Sequence, residues 1–172
     1  MAAPVRREIE VYHVHAAVLW ASIFVALLLQ MFLPIKIPLA RLFDFPLLVT
    51  IYFVLAKRSR NFGTALGTMV GLLQDAFCDT YRHLGMYGMA KALAGYIAVA
   101  ASFKFDFDRM IPRLFLTAAC VLIHGLFYAG LEQVLLESPP PFHPLDLASA
   151  ILVNVALALV IFRILDRFGT VA

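Results

Sequence analysis

The chain has 172 residues, of which 63% are apolar and only 15% charged, against about 25% charged in an ordinary soluble domain. A single core of that size cannot hide so much apolar surface from water, so the composition excludes a water-soluble globule and leaves the excess facing lipid. The net charge of +3 comes with no basic cluster larger than Lys57, Arg58 and Arg60, which argues against a nucleic-acid partner and leaves the basic residues to set membrane topology.

A spanning helix needs about 20 mostly apolar residues. Parsed by its prolines and charges, the chain reads as one transmembrane domain, residues 1–172, and as an all-α polytopic bundle of six transmembrane helices. The first, residues 14–33, follows a charged start (Arg6, Arg7, Glu8, Glu10) with no cleavage pattern, is ended by Pro34 and Pro38, and reads as a retained anchor. The second, 42–56, is short, carries Asp44 and Pro46 at its beginning and stops at Lys57. The third covers 62–77, the fourth 84–102, the fifth 111–135 with Pro112 in its first turn, and the sixth 145–162. Loops are short, and only 137–144 (ESPPPFHP) has the composition of an extended external connection.

Basic flanks stay in the cytoplasm. One side holds ten Lys and Arg (Arg6, Arg7, Lys57, Arg58, Arg60, Lys104, Arg109, Arg113, Arg163, Arg167) and the other three (Lys36, Arg41, Arg82). Both termini are therefore expected in the cytoplasm, which requires an even number of crossings.

On the third helix Gly63, Gly67 and Gly71 recur at steps of four, and Asp75 and Asp79 continue the row. Small residues let backbones approach closely, so this row predicts either packing within the bundle or a docking face for a partner helix. The fourth helix offers its own small face of Gly88, Ala92, Gly95 and Val99, and the two are expected to form a close antiparallel pair. Lys91 lies inside the fourth helix, where a charge is a functional hypothesis by default. Its side chain leans toward the helix N-terminus, which predicts an intramembrane pair with Asp75 or Asp79; snorkelling to the interface is the alternative. His124, Tyr128 and Glu132 form a polar stripe on the fifth helix, read as a hydrogen-bonded packing face or a proton relay, and Gln30 and Asn154 are read in the same way. His13 and His15 have no carboxylate or cysteine at ligand spacing, and Cys78 and Cys120 read as packing residues. No nucleophile elbow, phosphate loop or paired carboxylates occur, so no catalytic residue, metal or cofactor is expected.

The stretch Gly71-Leu-Leu-Gln-Asp75, then Leu84-Gly85, then Lys91-Ala-Leu-Ala-Gly95-Tyr96, resembles the characteristic region of the MreD family of small inner-membrane proteins of the bacterial rod-shape system. The aromatic segment from Tyr52 followed by the basic turn ending at Arg60 is similar as well. The loop from Cys78 to His83 departs from the family, being bulkier and charged where the family has small residues and a proline. The resemblance implies a six-helix fold similar to the substrate-binding subunits of energy-coupling-factor transporters. It implies a non-enzymatic scaffold or regulator in peptidoglycan synthesis, partnered in the lipid bilayer by a single-span MreC-like protein and by a RodA-like glycosyltransferase with its class B penicillin-binding transpeptidase. Gly71, Asp75, Gly85 and Tyr96 are the matched positions. The alternative is a substrate-binding membrane subunit for uptake of a vitamin-like solute.

Overall fold

A helix that is apolar on every side belongs inside a protein, and the segment FPLLVTIYFVLA is such a helix. In a computed structural model describing residues 12–13, 15–78, 85–107, 109–168 and 170–171, every side chain from Phe45 to Ala56 is buried. This helix, α2 (Phe45–Lys57), is the axis of the fold. Its 13 residues rise about 20 Å, and the expected second span is the central helix of the bundle, wrapped by its neighbours.

Around it stand α1 (Ala16–Lys36), α3 (Arg60–Cys78), α4 (Met86–Ser102), α5 (Met110–Leu135) and α6 (Pro144–Asp166), with a 3-10 turn at Pro38–Leu42 between α1 and α2. Helices α1, α5 and α6 are long and apolar enough to cross a membrane. Their outer faces stay bare: Phe115 of α5 and Leu152 of α6 are 75% and 73% exposed. Exposed apolar surface on this scale is the signature of lipid contact.

Two helices run three or more residues past their expected ends. Pro34 does not end α1, which runs on to Lys36 because a proline near a helix end removes a single amide bond, and the Ile37 N–H still donates to the Leu33 carbonyl at 2.9 Å. Helix α6 continues past Phe162 to Asp166, whose carboxylate accepts both 3.0 and 3.2 Å hydrogen bonds from Arg113 Nη1 at the start of α5. At the same end of the molecule, α2 passes into α3 through Arg58, which adopts a left-handed φ of 43°.

The glycine row closes the bundle from within. A Cβ on Gly63 would strike Val99 and the Gly95 carbonyl, one on Gly67 the Lys91 carbonyl, and one on Gly71 the Tyr87 carbonyl and the Gly88 Cα. From the other side a Cβ on Gly95 would meet the Gly63 carbonyl, and one on Gly88 would press on the Leu72 side chain. Backbone touches backbone along α3 and α4. Of the two readings of this row, packing within the chain is the one realised, and the five glycines are not a free docking face. The chain ends also meet: Tyr12–His13 pairs antiparallel with Thr170–Val171.

Candidate functional site: a polar centre inside the bundle

The site begins with a break in secondary structure. Between the 3-10 turn and α2 residues 43–44 lie outside both helices, and the backbone groups from the Leu42 carbonyl to the Phe45 N–H need partners from elsewhere. Two side-chain amides supply them. Asn154 of α6 donates Nδ2 to the carbonyls of Leu42 at 2.7 Å and Ala150 at 2.8 Å, while its Oδ1 accepts the Asp44 N–H at 2.8 Å. Gln30 of α1 donates Nε2 to the Phe43 carbonyl at 3.0 Å and accepts the Phe45 N–H at 3.1 Å. Both residues, read as packing or relay groups, are backbone clamps.

The clamps fix Asp44 at the N-cap of α2. One carboxylate oxygen accepts the Leu47 N–H at 3.0 Å, the ordinary task of an N-cap aspartate, with Pro46 filling an early helix position that needs no N–H. The other oxygen is left for a cation. Lys91 reaches it from α4, Nζ to Oδ2 at 2.5 Å, with its side chain fully buried and that of Asp44 13% exposed. His124 of α5 completes the group, its Nε2 lying 3.4 Å from Lys91 Nζ and 3.8 Å from Asp44 Oδ2. The Tyr87 ring lies 5.0 Å from the ammonium and stacks on Tyr128 at 4.5 Å, with the His124 ring nearly parallel at 5.9 Å. Three helices, α2, α4 and α5, therefore meet around one buried ion pair, and α1 and α6 hold the backbone beside it.

The ion pair expected between Lys91 and Asp75 is corrected by this geometry: the partner is Asp44. The alternative partner, Asp79, lies outside the described residues. Lys91 does lean toward the N-terminal end of α4, but Asp75 is engaged otherwise. Its Oδ2 accepts the N–H groups of Gly85 at 2.9 Å and Gly88 at 3.1 Å, and its Oδ1 that of Tyr87 at 3.2 Å. These are amides at the start of a helix, which have no partner inside it and which carry the positive end of its dipole. Asp75 thus caps α4 from α3 across the hairpin. Gly85, at a left-handed φ of 95°, is the turn that aims those amides, a conformation in which a side chain is strained.

Among the matched positions, Gly71, Asp75 and Gly85 converge on the α3–α4 hairpin, whereas Tyr96 stands apart on the outer side of α4, 53% exposed. Of the polar stripe on α5, His124 and Tyr128 join the centre and Glu132, half-buried, lies two turns further along the helix than His124. Cys120, below His124, is buried with its Sγ 3.9 Å from the Ala94 carbonyl, in keeping with a packing role. Asp44 is the residue that sequence reasoning missed. The signal was present in the pattern of aspartate followed two residues later by proline at the head of an apolar run, which marks an N-cap and hence a carboxylate drawn inward. No family model, curated protein or solved structure matches the chain.

Proposed function

We propose that this chain is a non-enzymatic subunit of the bacterial cell-elongation machinery. In this reading it is a multi-pass protein of the inner membrane, with six crossings and both termini in the cytoplasm. It scaffolds or regulates an MreC-like single-span protein and a complex of RodA-like glycosyltransferase with class B penicillin-binding transpeptidase. One observation carries the reading: three of the four positions that resemble the MreD family act together in a single device. Gly71 lets α4 approach, Asp75 ties the α4 amides, and Gly85 makes the turn that presents them. A hairpin held by backbone contacts and a caged carboxylate suits a rigid platform. Tyr96, exposed on that hairpin, is then available to lipid or a partner helix. The pairing of the two chain ends supports placing both termini on one side of the membrane, as does the ten-to-three division of basic residues.

Two experiments test the reading. Reporter fusions after residue 60 and at the C-terminus should report cytoplasm, and a fusion within 137–144 the outside; a C-terminus on the outside would overturn the topology. Depletion in a rod-shaped host should give rounded cells with disordered sidewall synthesis. A growth defect without shape change, rescued by high external vitamin, would make the chain an uptake subunit instead.

A further inference from the structure

Beside the polar centre, between the 3-10 turn and helices α4, α5 and α6, lies a cavity of about 250 Å³. That is about eight times the share of one water in the liquid. Its apolar wall includes Leu47, Val121 and Leu147, and its aromatic wall is Tyr87 with Tyr128. Among the described residues charge is balanced: Asp44 is matched by Lys91, and the exposed residues lining the cavity are one cation and one anion, Arg41 and Asp146.

One group in the wall is not satisfied. Gln74 of α3 is 3% exposed, yet its Oε1 has no hydrogen-bond partner among the described residues. The other two amide side chains lining the same space, Gln30 and Asn154, have their oxygens engaged by backbone N–H groups. A buried acceptor without a donor opposes folding, and an apolar side chain of the same length would avoid the penalty. Gln74 is therefore a group that the fold alone does not reward, placed where a ligand would meet it.

We infer that the cavity binds a small uncharged ring compound, one that brings an N–H or O–H donor to Gln74 Oε1 and lays its ring beside Tyr87 and Tyr128. The charge follows from the balance of the walls, since an added ion would find no free counter-charge among the described residues of the interior. The ring follows from the aromatic wall, and the donor from the orphan acceptor. Only the side of entry, the outer face, rests on the topology proposed above.

Nicotinamide is a suitable probe, being flat, uncharged and furnished with amide N–H donors, and nicotinate keeps the ring while adding a charge and losing the donors. With the full chain in detergent, saturation-transfer NMR should show nicotinamide bound and nicotinate weaker by at least about tenfold, and nicotinamide should raise the thermal midpoint in proportion to its concentration. Gln74→Leu should lose at least about tenfold in nicotinamide binding while its own thermal midpoint stays level or rises. Ala150→Phe, which fills the space from α6, should block binding independently of Gln74. Absence of nicotinamide binding to the natural chain, equal binding of nicotinate, unchanged binding in both variants, or a fall in the midpoint of Gln74→Leu would each overturn the inference. None of these readouts depends on cell shape, so failure here is distinguishable from failure of the elongation role.

Discussion

Asp75 is buried in this bundle and Asp44 nearly so, and the two carboxylates are neutralised by different physics. Among the described residues no cation lies within ion-pair distance of Asp75; three amides at the start of α4 surround it, all within 13 residues along the chain. Asp44 has one amide and one ammonium, and the ammonium comes from 47 residues away. The first arrangement closes a hairpin locally. The second draws α2 and α4 together, with α5 contributing His124 and α6 holding the backbone at Asp44 through Asn154. A local cap loses strength by degrees when an oxygen is removed, whereas an ion pair in a low-dielectric interior fails as a unit, because the surviving charge is left uncompensated.

That contrast sets an order of mutational effects. The largest falls on the seam that both regions share. Gly67→Leu would place a side chain on the Lys91 carbonyl and separate α3 from α4, disturbing the hairpin and the ion pair together. A loss beyond about 4 kcal/mol is expected, read as absence of folded protein from the membrane fraction. Next is Lys91→Met, which keeps the length of the stem and strands the Asp44 carboxylate, for a loss of about 3–5 kcal/mol in detergent unfolding. Asp75→Asn leaves one acceptor oxygen for amides that now share two, so a smaller loss of about 1–3 kcal/mol should appear, with faster hydrogen exchange confined to the first turn of α4. Asp166→Asn is the mildest. Asp166 is 42% exposed and its partner Arg113, 12% exposed, also donates Nε to the Phe107 carbonyl, so the midpoint should move by no more than about 1 kcal/mol equivalent.

The same contrast explains what could be read from the sequence. The α3–α4 hairpin was legible because its signals are short-range: glycines at steps of four, an aspartate ending the row, and a glycine opening the next helix. The direction in which Lys91 leans was legible too, since it follows from helix geometry. Its partner was not. Asp75 and Asp44 stand at the same end of the bundle, and choosing between them requires knowing that the amides of α4 already claim the first and that Asn154 and Gln30 hold the second in place. Those clamps join residues as much as 112 positions apart, beyond the reach of any periodicity. The central position of α2 was hidden for a related reason: a short run that is apolar all round looks the same whether lipid or other helices surround it, until its neighbours are known.

The claim that Lys91 belongs to Asp44 and not to Asp75 is tested most directly by paired double-mutant cycles on thermal or denaturant unfolding of the detergent-solubilised chain. Lys91→Met is combined in turn with Asp44→Asn, which retains an oxygen for the Leu47 N–H, and with Asp75→Asn. The account predicts that Asp44→Asn recovers at least about 1.5 kcal/mol of the loss caused by Lys91→Met, while Asp75→Asn adds to it within about 0.5 kcal/mol. Recovery by Asp75→Asn with simple additivity for Asp44→Asn would contradict it.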